Sequence, residues 1–203
     1  LAGCGAELVF APAENQVYGP KHATWVEVEG VAEPLEGRIR PGHFRGVATI
    51  VLKLFNMAGT DVAYFGQKDY QQVQVIRRMV EDLNVPIQLR VCPIVREPDG
   101  LALSSRNVYL SPDQRQRAVS LYASLCHAEK MVASGETRAD RILAAVEEIL
   151  LEQGKGRIDY VAVADPETLE PVEQITGETL IALAVRIGET RLIDNCLIQP
   201  PAG

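Results

Sequence analysis

The sequence is short of the features that would make its function easy to read. Its four cysteines, Cys4, Cys92, Cys126 and Cys196, form no C-x-x-C pair, so no zinc knuckle is expected and reduced thiols in a cytoplasmic protein are the simpler reading. His22, His43 and His127 stand apart, without H-x-x-H or H-E-x-x-H spacing, and no protein-held metal site is expected from them. There is no G-x-x-x-x-G-K-[ST] loop. There is no G-x-G-x-x-G either, since Gly3-Cys4-Gly5 lacks its third glycine, so neither a P-loop enzyme nor a dinucleotide dehydrogenase is supported. No apolar run approaches the ~18 residues of a membrane span, and no signal peptide is recognisable. Positive charge is scarce: 20 Lys and Arg against 27 Asp and Glu give a net charge of −7, which argues against a nucleic-acid surface. An acidic protein can still hold an anionic nucleotide, because a few local cations and backbone N–H groups decide that.

What is present is ordinary globular material, 203 residues with 47% hydrophobic and 23% charged side chains. Such a length buries enough surface to fold without a disulfide or metal staple. The chain opens at Leu1 with LAGCGAELVF, which reads as the middle of a domain, so a fragment is expected. Leu8–Phe10 and Thr24–Val28 are strand candidates on either side of a Pro- and Gly-bearing loop. Arg40-Pro41-Gly42 opens a helix whose Phe44, Val47, Ala48, Val51, Leu54, Phe55 and Ala58 share one face, and Gly59 ends it. Val62–Phe65 reads as a buried parallel strand. A helix from about Asp69 to Leu83 follows, with Tyr70, Val73, Ile76 or Arg77, Val80 and Leu83 inward, and then a strand over Ile87–Val95 interrupted by Pro93. This is the grammar of a parallel α/β sheet.

The turn cluster at 96–100 marks a hinge, and the pattern changes beyond it. Ser111-Pro112-Asp113-Gln114 starts a helix, another runs from about Arg138 to Leu151 before Gly154, and strands follow at Ile158–Val163, Leu180–Val185 and Arg191–Asp194. The expected architecture is a Rossmann-like α/β domain over 1–95, incomplete at its amino end, and a small α+β domain over 96–203.

Two runs carry the chemistry. In FGQKDYQQ (65–72) a buried strand ends at Gly66 and a helix starts about three residues later. Ligands of parallel sheets bind at such junctions, where a helix N-terminus favours an anion. Gly66 allows close backbone approach, Lys68 suits a phosphate, Asp69 a ribose hydroxyl and Gln72 a hydroxy acid. The bland alternative is a capping box of Asp69 and Gln72. In DGLALSSRN (99–107), Ser104, Ser105 and Arg106 make a compact set of phosphate donors that could close over a nucleotide, or simply an ordinary polar loop.

Taken with LEGRIRPGHFRGVATIVLKLFN (35–56), Phe10-Ala11-Pro12 with Tyr18, VREPDGLALSSRNVYLS (95–111), DYVAVADPETLEPV (159–172) and TRLIDN (190–195), these runs resemble the pantoate–β-alanine ligase (pantothenate synthetase) family of the nucleotidyltransferase superfamily. The likeness covers nearly the whole chain in order, and that order favours the ligand readings of both runs. It implies ATP-dependent condensation of pantoate with β-alanine through pantoyl adenylate, with Mg²⁺ as cofactor and a cytoplasmic homodimer as the assembly. It implies ATP contacts from Gly66, Gln67, Lys68, Asp69, Val95 (through its backbone), Leu103, Ser104, Ser105 and Arg106. Of these, Lys68, Ser104, Ser105 and Arg106 would act on the phosphates, Gln72 would bind pantoate, and the region after about residue 96 would be a lid. Gln67 stands where the family commonly has Glu. The family's HIGH-type histidines, its other substrate-binding glutamine and its acidic magnesium residues would lie upstream of Leu1, so these 203 residues alone are expected to be inactive. The competing expectations are a non-catalytic remnant that binds a nucleotide or partner, and a related enzyme acting on another acid.

Overall fold

The computed structural model describes residues 2–201. After a 3₁₀ turn at Ala2–Cys4 come two single-turn helices, α1 (Glu14–Val17) and α2 (Glu36–Ile39), and the long helix α3 (His43–Ala58). Strand β1 (Val62–Gly66), helix α4 (Tyr70–Asp82) and strand β2 (Gln88–Cys92) then form a β-α-β unit. Its two strands are parallel, in register from Val62 opposite Gln88 to Gly66 opposite Cys92. The rest of the chain supplies α5 (Pro112–Ala118), α6 (Ser120–Ala133), α7 (Ala139–Glu152) and an antiparallel sheet in the order β3 (Arg157–Ala164), β4 (Thr179–Ile187), β5 (Thr190–Ile198). The α/β expectation of a Rossmann-like parallel unit and a small α+β part is met.

Strand β4 joins the two halves. Its residues Thr179–Ile187 are nearly all buried, because the strand has neighbours on both faces. Ile181, Leu183, Val185 and Ile187 point to the helical side, against Leu121 and Leu125 of α6 and Ile142, Val146 and Leu150 of α7. Leu180 and Ala182, on the opposite pleat, belong to a second core with Phe44 and Ala48 of α3 and Val75, Ile76 and Met79 of α4. A strand covered on both faces reads as a continuous apolar run rather than an alternation, and TLIALAVRI is one.

Several local expectations need correction. Leu8–Phe10 and Thr24–Val28 form no strand, and Leu8, Val9 and Phe10 are exposed. An apolar run becomes a strand only where a neighbouring backbone takes its hydrogen bonds. Among the described residues no backbone pairs with either run, and the Val26 N–H donates to the Thr49 hydroxyl instead. The strand expected at Ile87–Val95 is confined to Gln88–Cys92, because Pro93 has no N–H for a ladder. Helix α4 buries four successive residues, Val73, Gln74, Val75 and Ile76, together with Met79, while Leu83 is exposed. It is therefore covered around its middle turns, not along one stripe. Helix α3 buries its first half only, and Ala58 is exposed. Gly59 closes it in the left-handed region at φ 59°, donating to Phe55 O. At α5 the expected capping box forms, with Ser111 Oγ accepting from the Gln114 N–H and Gln114 reaching back to the Ser111 N–H. No helix among the described residues is long and apolar enough to cross a membrane.

Candidate active site

Strand β1 ends at Gly66 in extended conformation, and Gln67–Asp69 form one 3₁₀ turn before α4. This places Lys68, Asp69 and Gln72 at the carboxyl end of a parallel strand and the start of a helix. Arg106 arrives from a second 3₁₀ segment, Ser105–Tyr109, whose first turn is capped by Ser104 Oγ accepting from the Arg106 N–H at 3.2 Å. Lys68, Asp69, Gln72 and Arg106 line one cavity of about 210 Å³, closed by Glu36, Arg40 and His43 on one side and by Asp194 and Asn195 on another. A wider cavity of about 650 Å³ shares Arg40 and Arg106 with it and adds Arg191, Tyr109 and Gln114. Arg40 and Arg106 at this opening favour an anion, while Arg191 is paired with carboxylates and Glu189 also lines the wall.

The other expected nucleotide residues sit around this centre instead of in its wall. Gly66 closes β1. The Gln67 side chain donates from Nε2 to Asn195 Oδ1 at 3.3 Å. Val95 and Leu103 are exposed side by side, the Leu103 N–H donating to Val95 O at 2.8 Å. Ser105 is exposed. The loop that presents them is stapled from within. Arg115 bridges Glu97 and Asp99, and Asn107 Nδ2 donates to Glu97 Oε1 and to Ala102 O. The hydrogen bonds from Asn107 and Arg115 hold the Glu97 carboxyl below its ordinary range.

Across 98% of this chain, the pantothenate synthetase of Thermus thermophilus has the same fold, with TM-score 0.94 and 45% identity over 72% of that protein. A family model for pantoate-beta-alanine ligase matches residues 1–197.

The chain belongs to the pantoate–β-alanine ligase family.

Other relatives include pantothenate synthetases of Moorella thermoacetica, 53% identical over 98% of this chain and 70% of that protein, and of Desulforapulum autotrophicum, 55% identical over 97% and 69%. The pantoate-beta-alanine ligase of Francisella tularensis, solved in complex with beta-gamma ATP and beta-alanine, matches 97% of the chain and 66% of that protein with TM-score 0.75 and 30% identity.

Within this ligase fold, several residues that sequence reasoning gave no role hold the site together. Glu36 is buried at the cavity wall. It accepts two hydrogen bonds from Arg191, at 2.8 and 2.7 Å, and one from the Tyr160 hydroxyl at 3.0 Å. This charge-assisted set compensates the desolvation of the carboxylate. Arg191 also donates from Nε to Asp159 Oδ2 at 2.6 Å, where a bulge shifts the β3 register between Ile158 and Tyr160. Burial opposes ionisation of Asp159, but the Arg191 hydrogen bond and the charges of Arg191 and Arg186 outweigh it and lower its pKa. Burial, followed by the Glu36 charge, pushes the Tyr160 phenol upward, keeping it a donor. Gln71 fixes the segment around Glu36, accepting from the Glu36 N–H at 3.0 Å and donating to Val31 O and Pro34 O. Gly37 follows because a Cβ there would lie 1.8 Å from Ala32 O.

His43, one of the three isolated histidines, lines the cavity at the start of α3. Burial first, then the Arg40 charge, lowers its pKa, so its ring is neutral at pH 7. Among the described residues no three His, Cys, Asp or Glu side chains converge to hold a metal ion.

Proposed function

We propose that the protein condenses pantoate with β-alanine at the expense of ATP, through pantoyl adenylate. The single observation that carries this reading is the meeting of Lys68, Asp69, Gln72 and Arg106, from two separate loops, in one cavity wall. In the first step a pantoate carboxylate oxygen bonds to the α-phosphorus and the bond to the bridging oxygen of pyrophosphate breaks. The amine of β-alanine then attacks the acyl carbon, the C–O bond to AMP breaks, and the nitrogen loses its proton. Neither step needs a covalent protein intermediate, so the side chains act by positioning and charge stabilisation.

Lys68 and Arg106, with Ser104 and Ser105, face the phosphates in this scheme, and the wider arginine-lined cavity offers room for departing pyrophosphate. Gly66, Gln67, Asp69, Val95 and Leu103 surround the nucleoside, and Gln72 holds pantoate. The region from about residue 96 serves as the lid. A cytoplasmic homodimer belongs to the same proposal, and the four free thiols support a reducing compartment. No step above passes through Mg²⁺. The 203 residues contain no H-x-G-H run, and we expect turnover to require a segment that supplies one.

The test is pyrophosphate release, measured on a chain that includes such a segment. Release should occur from ATP only when pantoate is present, and pantoate-independent or absent release from folded protein defeats the ligase reading. Lys68→Ala should lower adenylate formation by about 10²–10³, the usual loss for one transition-state donor, without changing the thermal melt. An undiminished rate contradicts the role given to Lys68.

A further inference from the structure

Two adjacent polar residues interrupt the apolar strand β5, and both are buried: Asp194 and Asn195. Most of their side-chain partners lie outside their own sheet. Asn195 Nδ2 donates to the main-chain carbonyls of Gln67 at 3.1 Å and Lys68 at 3.0 Å, and its Oδ1 accepts from Gln67 Nε2 at 3.3 Å. Asp194 accepts from Arg96 at 2.6 and 3.0 Å, and its Oδ1 also accepts the Asn195 N–H at 2.8 Å. Arg96 in turn lies 4.1 Å over the Tyr122 ring and donates to Gly100 O, anchoring the loop that carries Ser104 to Arg106. One dipeptide therefore grips both cation-bearing segments of the cavity.

We infer that Asn195 is a positioning residue for the nucleotide site, holding the Lys68 turn in register with the Arg106 loop that Asp194 holds through Arg96. This inference rests on the ATP reading above. A trans peptide unit is planar, with its C=O and N–H pointing in opposite directions. Capturing the carbonyls of Gln67 and Lys68 therefore turns the N–H groups of Lys68 and Asp69 away from β5. It fixes the two peptide planes at the helix start, where a helix N-terminus suits the phosphates of the proposed nucleotide. It also fixes the backbone from which the Lys68 side chain leaves. Asn is suited to this because its NH₂ carries two donors and its oxygen can take the return bond from Gln67. An aspartate of the same shape has no donor and would face two carbonyl oxygens.

The experiment compares Asn195→Ala, Asn195→Asp and Val132→Ala, the last a truncation in the α6–α7 core far from the turn. The readouts are ATP affinity and, without ligand, amide exchange over residues 67–70. Both Asn195 variants should exchange about tenfold faster in that segment and bind ATP at least about tenfold more weakly, the loss expected for two hydrogen bonds. Val132→Ala should lower the melting temperature and move neither readout. Unchanged exchange in both Asn195 variants overturns the inference, as does faster exchange with unchanged affinity, or an equal affinity loss in Val132→Ala. If the parent chain itself fails to bind ATP, the nucleotide reading falls and this inference with it. A parent that binds, with Asn195 variants that bind equally well, sinks this inference alone.

Discussion

The two halves of the molecule differ in how they are held. In the carboxyl-side half, α6 and α7 close over one face of the β4–β5 sheet, and the core between them is completed by that half's own residues. In the amino-side half the two strands are largely open. Tyr64 of β1 and Val91 of β2 are exposed, as are Leu8, Val9 and Phe10 before them. Its core is finished by Leu169, Leu180 and Ala182 from the other half. Its charged wall is finished by Arg191 and Tyr160, and its Lys68 turn by Asn195. The half that carries Lys68 and Gln72 thus takes part of its order from the half that carries Arg106. A catalytic constellation built from two such halves is set by their contact as much as by either sequence run.

The contact can be broken most severely at Glu36. Glu36→Ala leaves the half-buried Arg191 with Asp159 alone and the Tyr160 hydroxyl without its acceptor, and breaking such a pair costs up to about 3–5 kcal/mol. Denaturant melts should show that loss, with amide exchange rising over α3 and α4 while α6 and α7 stay protected. Uniform loss of protection throughout would mean the halves are not unequal. A smaller effect sharpens the comparison from inside each sheet. Leu183→Ala, at a fully buried β4 position, should cost about 2–5 kcal/mol. Tyr64→Ala on the open face of β1 should stay within about 0.5 kcal/mol, as surface changes do. Similar costs at the two positions would remove the contrast.

The legible parts were those whose physics is local. FGQKDYQQ announces a strand end, a glycine and a helix start within eight residues, and the structure brings its Lys68, Asp69 and Gln72 to one cavity with Arg106. The capping box at Ser111 and the terminal Gly59 of α3 were equally local. Leu8–Phe10 and Thr24–Val28 misled because apolar and β-branched residues show a preference for pairing, while pairing itself depends on a neighbour. Glu36, Tyr160, Arg191 and Asn195 escaped because their partners lie more than a hundred residues away. Their one sequence signal was polarity out of place, an Asp-Asn pair inside the otherwise apolar run LIDNCLI and a Glu in a turn that proves buried. Sequence alone cannot separate that from an ordinary exposed edge.

The central claim is that Lys68 and Arg106, from unequal halves, form one ATP site. It is tested most directly by titrating the protein with ATP while following amide exchange at residues 66–70 and 103–107 together. The account predicts that both segments gain protection with the same midpoint. Protection of one segment without the other, or two separate midpoints, would contradict it.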